Sequence, residues 1–98
     1  MPHNIKPGAV DDLAHIHAEG TRLFGLGQAE AYADGLYEVF DFLAEFPRAA
    51  RLREQLDPPV RAYSYKSHVV VYDLGPDDTV MILRVRHHRE DWTGAPLG

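Results

Sequence analysis

"TVMILRVRH", residues 79–87, is the segment that decides the fold, because its side chains alternate with the period of two that is typical of a β-strand. The alternation predicts two faces, one with Met81, Leu83, Val85 and His87 and the other with Val80, Ile82, Arg84 and Arg86. Two arginines on one face, two residues apart, indicate that this face is open where the strand ends. The strand continues into the charged sequence HREDW, residues 88–92, and the role of this strand end is the main functional question that the sequence raises.

Two further strands with the same period come before this one. They are VRAYSYK, residues 60–66, and HVVVYDL, residues 68–74. Ser67 leaves room for only a tight turn between them, and the segment GPDD, residues 75–78, forms the next turn. The three strands are therefore predicted to form an antiparallel meander. A short N-terminal segment, HNIK at residues 3–6, is predicted as an edge strand.

The first half of the chain has the period of amphipathic helices. One apolar stripe runs from Val10 to Phe24, with Asp11 and Asp12 predicted in the first turn and the segment GLG, residues 25–27, ending the helix. A second stripe runs from residue 29 to 46, stops before a proline, and contains Tyr32 and Phe40. These two aromatic residues and Tyr37 on the same helix are predicted to be mostly core. Any of these that is exposed would form an apolar groove for a partner.

These elements predict a single domain over residues 1–98 of the α+β class. Its short N-terminal strand is followed by an antiparallel helical hairpin packed on a three- to four-stranded antiparallel sheet. The segment RAARLREQL, residues 48–56, is predicted as a basic connector with one or two helical turns.

Composition narrows the function classes. The chain has 98 residues, no cysteine and a net charge of −5, which argues against thiol chemistry, disulfides and broad nucleic-acid binding. The first 47 residues hold two basic and eight acidic residues, so the helices are predicted to present an acidic surface. The N-terminus carries no apolar signal sequence, and no apolar run approaches the length of a membrane span, so a cytoplasmic protein is expected.

The histidines do not have the spacing of a metal site. His15 and His17 are two apart on a helix, and His87 and His88 are adjacent on a strand, so the side chains within each pair diverge. A GxSxG motif and a glycine-rich phosphate loop are both missing from the sequence. No metal, no cofactor and no covalent catalytic group is therefore predicted.

The strand-end cations allow two interpretations. If the strand registers agree, Arg61, Tyr63, Arg84 and Arg86 line one basic and aromatic surface. A metal-free ribonuclease would use a base, an acid and cations around one phosphate, and the candidates are Arg61, Tyr72, Arg84, Arg86, His87 and His88. In the other interpretation the arginines cover the sheet and pair with Glu90, Asp91 or the acids of a partner, and the composition favours this one.

The chain as a whole resembles the ParE branch of the RelE/ParE superfamily of bacterial toxin–antitoxin toxins, over about residues 3–92. The resemblance is carried by the order and spacing of KPGAVDDLAHI, FGLGQAEAYADGLYEVFDFLAEFP, VRAYSYKSHVVVYDL and ILRVRHHREDW. It implies a helical hairpin against an antiparallel sheet. It also implies a small antitoxin, ParD-like or other, whose disordered C-terminal segment folds onto the toxin in a hetero-oligomer.

ParE-like toxins act by binding and inhibiting DNA gyrase, whereas RelE-like relatives cut mRNA in the ribosome with a dense set of lysines, arginines and a C-terminal Tyr or His. Lys66 is the single lysine of the predicted sheet, no tyrosine follows Tyr72, and the chain is acidic, all of which favour the ParE branch. Arg86 departs from the family pattern, which usually has an aliphatic residue there. The predicted surface for target or antitoxin comprises Arg61, Tyr63, His68, Tyr72, Arg84, Arg86, His87 and Trp92.

The resemblance therefore implies a gyrase-inhibiting toxin without catalytic residues, without sequence-specific nucleic-acid contacts and without a membrane partner. Two alternatives stay open: a RelE-like ribosome-dependent mRNA endonuclease, and a non-toxic protein of the same fold that only binds its antitoxin.

Overall fold

Two helices lie on one face of a five-stranded sheet in the computed structural model, which describes residues 3–90 and Trp92. The elements are β1 (His3–Ile5), α1 (Pro7–Phe24), α2 (Leu26–Glu45), β2 (Leu52–Arg53), β3 (Val60–Tyr65), β4 (His68–Leu74) and β5 (Val80–His87), with a 3₁₀ turn at Pro76–Asp78. Within the described residues, neither helix has the length and apolar character needed to cross a membrane. The α+β class, the N-terminal strand and the helical hairpin are confirmed.

The sheet has the strand order β1-β5-β4-β3-β2. The antiparallel meander of β3, β4 and β5 is confirmed, but β1 pairs with β5 in parallel, so the sheet is mixed. The helical turns predicted for residues 48–56 are wrong at Leu52–Arg53, which pairs with Val60 and Arg61 as a fifth strand. A strand of two residues is too short to show a period in the sequence, so only its pairing with β3 defines it.

A single glycine joins the helices. Gly25 has φ +91°, a backbone conformation that side chains with a Cβ rarely adopt, and its N–H donates to the Thr21 carbonyl at 3.0 Å. α1 begins at Pro7, so Asp12 lies in its second turn. The sequence had predicted Asp12 in the first turn. This position directs Asp12 to a contact with the sheet rather than to the helix terminus.

The last strand contains a bulge that changes which side chains face the helices. Val71 is opposite Arg84 and Tyr72 is opposite Ile82, so Leu83 is the extra residue on β5. Val85 therefore joins Val80 and Ile82 in the core beneath the helices, while Leu83 packs on the other face of the sheet. The regular alternation predicted for this strand holds as far as Leu83 and is wrong from Arg84 onward, because the bulge places Leu83 and Arg84 on one face.

Tyr72 and Trp92 were predicted to bind a partner, but both are core residues. Tyr72 is 0% exposed, and its hydroxyl donates to the Pro47 carbonyl at 2.9 Å and accepts from the Ala50 N–H at 3.3 Å. Trp92 is 8% exposed in the cluster on the far face of the sheet, under the Arg53 guanidinium at 5.6 Å from the ring centre. Period-two alternation cannot distinguish an aromatic side chain that faces a second layer from one that faces solvent.

The side chain of Tyr65 packs against α2 at Gly35, where a larger residue would block it. The Tyr65 hydroxyl occupies the place where a Cβ on Gly35 would lie. Its ring also packs edge-on against Tyr32, with the centroids 5.5 Å apart. The absence of a side chain at residue 35 therefore lets the β3–β4 hairpin approach α2.

This packing predicts a reversal of sign in a double-mutant cycle. In the wild-type chain, Gly35→Ala should displace Tyr65 and destabilise the fold by about 1 kcal/mol. In a Tyr65→Ala background the same change should stabilise the fold by about 1 kcal/mol, because alanine is the better helix former. Urea denaturation of the four chains measures this. An equal effect of Gly35→Ala in both backgrounds would show that Tyr65 does not pack there.

Candidate functional site

The predicted basic strand end is held by one carboxylate from α1. Nε and Nη2 of Arg84 donate to the two oxygens of Asp12 at 2.8 and 2.9 Å, and the Val85 N–H donates to Oδ2 of Asp12 at 2.9 Å. Arg86 adds its charge 3.8 Å away. Burial raises the pKa of Asp12, but the hydrogen bonds from Arg84 and Val85 and the charges of both arginines outweigh it and hold that pKa below its usual value.

This carboxylate lies at an open stretch of sheet edge. β1 pairs with β5 only from Val80 to Ile82, so the rest of β5 has no strand on that side among residues 3–90. The outward N–H groups there are taken by side chains, Val85 by Asp12 and His87 by Oε1 of Glu90 at 3.2 Å. Glu90 also forms a close ion pair with Arg86. The chain thus closes its own edge, which would otherwise be a template for pairing with another strand.

The predicted surface shared by Arg61, Tyr63, Arg84 and Arg86 is wrong. Arg61 and Tyr63 are opposite Tyr72 and Val70, two residues of the core beneath the helices. Arg84 and Arg86 are instead opposite Val71 and Val69, which belong to the core on the far face. Because a shift of one residue in register exchanges the two faces of a strand, sequence alone could not fix this arrangement. Arg61 donates to the Ala50 carbonyl at 2.6 Å, away from the strand end.

His68 and His87 were both predicted in the site, and the structure brings them together. Their ring centroids are 5.1 Å apart, and Nδ1 of His68 lies 2.7 Å from the hydroxyl of Tyr32. Burial lowers the pKa of His68, and the nearby His87 lowers it further. Burial raises the pKa of Tyr32. The Lys66 ammonium lies 5.8 Å from the Tyr32 ring centre. The sequence predicts Tyr32 on the apolar stripe of its helix, and its hydrogen bond to His68 depends on the packing of the β3–β4 hairpin against that helix.

A groove of about 780 Å³ opens between this cluster and the helical hairpin. We call it the hairpin groove, and its apolar wall and floor are formed by Ile16, Leu23, Phe24, Ala29 and Val85. Leu23 and Phe24, with Leu26 beside them, expose 56%, 67% and 54% of their surface. The sequence predicted Leu23 and Phe24 as part of a buried stripe. Among the described residues, the last turn of that stripe is left largely exposed.

The charges at the strand end are paired with one another. In the described residues, no three histidine, aspartate or glutamate side chains are placed to hold a metal ion. The charges of Arg84 and Arg86 are matched by Asp12 and Glu90, and His68 is bonded to Tyr32. The geometry therefore offers an apolar groove with a polar rim, which is suited to binding a macromolecular partner.

The contact between α1 and β5 predicts that Asp12 contributes much more to the stability of the fold than the adjacent Asp11. Asp12→Asn should destabilise the fold by about 2–4 kcal/mol, because it leaves Arg84 largely buried without a counter-charge. Asp11→Asn is the matched control on the exposed side of the same helix turn, and it should change stability by less than about 0.5 kcal/mol. Urea denaturation measures both. Equal effects of the two variants would contradict the role given to Asp12.

The lowered pKa of His68 predicts that the free energy of unfolding depends on pH. Its pKa is lowered on folding, so the unfolded chain binds more protons below about pH 6.5, and the free energy of unfolding should fall as pH falls through that range. His68→Gln should flatten this slope, which is at most about 1.4 kcal/mol per pH unit for one group. Asp12 contributes in a separate window below about pH 4, because its folded pKa is lowered too.

The control for His68 is His15→Gln, since His15 is exposed. Denaturant midpoints between about pH 5 and pH 8 measure both variants. If His68→Gln and the wild type have the same slope, then His68 is not the titrating group.

The chain matches a family model described as the ParE toxin of the type II toxin–antitoxin system parDE, over residues 4–92. It is 35% identical to Toxin ParE3 of Caulobacter vibrioides over 74 residues, which are 76% of this chain and 73% of that protein. A solved structure of the chromosomal ParDE TA system from P. aeruginosa covers 89% of this chain and 95% of its own, with a TM-score of 0.76 at 19% identity, and thus has the same fold. The chain therefore belongs to the ParE toxin family of type II toxin–antitoxin systems.

Proposed function

We propose that this ParE-type toxin inhibits DNA gyrase by binding, and that a cognate antitoxin holds it inactive. Membership of the family over residues 4–92 carries the proposal. The family belongs to a two-component system, so the toxin is expected to act only when its partner is absent. Both the antitoxin and gyrase are cytoplasmic partners, and the proposal places the chain in the cytoplasm with them.

An antitoxin partner is supported by the exposed apolar surface at the helical hairpin. Leucine and phenylalanine side chains that expose half or more of their surface, next to a groove, are typical of a protein whose partner covers them. Burying one such side chain is worth about 1.5–3 kcal/mol, so two or three of them supply much of the free energy of a specific complex.

Action by binding is supported by the ion pairs at the strand end. A phosphate-cleaving site needs cations that are free to stabilise charge in the transition state. Arg84 and Arg86 are instead paired with Asp12 and Glu90. The same pairs leave the strand end with little free charge, which suits a surface recognised by shape.

The second candidate, an mRNA endonuclease, draws its support from a different group of side chains. Tyr32, Lys66, His68 and His87 lie together and include groups able to donate, accept and stabilise charge. This candidate predicts cleavage of mRNA in ribosomes and loss of cleavage in His87→Ala.

Two assays on the purified chain separate the candidates. At micromolar concentration the toxin should inhibit supercoiling by gyrase, and it should leave transcripts on ribosomes intact. A Val70→Asp variant, which places a carboxylate in the core, is the unfolded control and should do neither. Full gyrase activity with folded toxin would contradict the gyrase target, and cleaved transcripts would establish the endonuclease.

Growth assays test the two-component part of the proposal. Expression of the toxin alone should arrest growth, and co-expression of the protein encoded by the adjacent reading frame should restore it. Normal growth of cells that accumulate folded toxin would favour a non-toxic protein that only binds its partner.

A further inference from the structure

We propose that the chain forms a weak two-fold symmetric dimer through an apolar patch at the C-terminal end of α2, with glutamates of each copy facing arginines of the other. The apolar patch consists of Phe42, Phe46, Leu52 and Tyr63. It is separate from the hairpin groove, which α2 lines only with residues between 28 and 32. A dimer formed through the patch would therefore leave the groove open.

The four side chains of the patch form one continuous surface. The ring centroid of Phe42 lies 5.3 Å from that of Phe46 and 5.6 Å from that of Tyr63. Leu52 is opposite Arg61, two residues from Tyr63 on the same face of β3. Phe42, Phe46 and Leu52 expose 39%, 53% and 38% of their surface. Large apolar side chains that are exposed side by side, rather than singly, are typical of a surface that another molecule covers.

Charges of opposite sign flank the patch on its two sides. Glu38 and Glu45 lie one helical turn before and after Phe42, on the exposed side of α2. Arg51 directly precedes β2, and Arg61 pairs with that strand from β3. Among residues 3–90, none of these four charged side chains has an oppositely charged group within 4.0 Å. The patch therefore presents acids along its helix side and arginines along its strand side.

This distribution of charge fits a second copy of the chain. A partner of uniform charge, such as a nucleic acid or an acidic peptide, would be attracted by the arginines and repelled by the glutamates. In an isologous dimer the patch meets itself after a rotation of 180°, so the acidic side of one copy faces the basic side of the other. Both sides then find opposite charges, and the apolar side chains meet near the two-fold axis.

The size of the patch predicts a weak complex. Stable interfaces bury about 800 Å² on each partner, whereas four partly exposed side chains and their charged neighbours supply a smaller area. We expect a dissociation constant of about 10–100 µM, which is typical of a transient complex. The chain should therefore be monomeric at about 1 µM and largely dimeric at about 1 mM.

Sedimentation equilibrium of the full chain between these two concentrations tests the dimer. The weight-average mass should rise from that of one chain towards that of two. Phe46→Glu should weaken association by about tenfold or more, because it places a carboxylate in the apolar centre of the interface. Phe24→Glu is the matched control in the hairpin groove, since Phe24 is also more than half exposed, and it should associate like the wild type.

A charge exchange tests the two-fold arrangement. The helix variant carries Glu38→Arg together with Glu45→Arg, and the strand variant carries Arg51→Glu. Each variant alone brings like charges together twice in its dimer and should associate about tenfold more weakly than the wild type. An equimolar mixture of the two should come within about threefold of the wild-type affinity, because every exchanged side chain then faces its opposite charge.

Three results would overturn the inference: a chain that stays monomeric at about 1 mM, equal weakening by Phe24→Glu and Phe46→Glu, or a mixture that associates no better than its components. Circular dichroism of each variant establishes that it is folded before sedimentation. The outcome is independent of toxicity. A dimeric chain that does not arrest growth contradicts the proposed function alone, and a toxic chain that stays monomeric contradicts this inference alone.

Discussion

The fold depends on one carboxylate, Asp12, which holds α1 to the part of β5 that does not pair with β1. β1 ends after three residues, and beyond the bulge at Leu83 the residues of β5 pair with β4 on one side only. Asp12 meets them there, accepting hydrogen bonds from the Arg84 side chain and the Val85 backbone. An unpaired backbone N–H and a largely buried guanidinium would each be destabilising alone, and a single side chain from α1 satisfies both.

This arrangement also explains the functional surface. α1 is held to β5 at Asp12, and near its other end Leu23 and Phe24 expose more than half of their surface. The hairpin groove is lined by these two side chains and by Val85. The same contact neutralises Arg84, so the strand end contributes shape and backbone position more than free charge.

The regular elements could be predicted from the sequence because each has its own period. The meander was visible in the alternation of β3 and β4, and the two helices in their apolar stripes. The two-residue strand β2, the parallel pairing of β1 and the bulge at Leu83 could not be predicted, since each is decided by a neighbour that is distant in sequence. The bulge had the largest effect, because it placed Val85 rather than Arg84 beneath the helices with Val80 and Ile82.

The candidate site was predicted in part, for the same reason. His68 and His87 do lie together, because a meander brings the start of one strand to the end of another. Tyr72 and Trp92 are core residues, and sequence alternation could not show which face a second layer covers. Leu23 and Phe24 were missed as surface residues because an apolar stripe looks the same whether its own sheet or another protein buries it.

The contact between Asp12 and β5 is tested most directly by following the Asp12 carboxyl group and the Val85 amide of the full chain by NMR. The pKa of Asp12 should lie below that of an ordinary aspartate, and the Val85 amide should be protected from hydrogen exchange until Asp12 is protonated. An Asp12 that titrates at the usual value of about 3.9, with a Val85 amide that exchanges freely at neutral pH, would contradict the central role given to this contact.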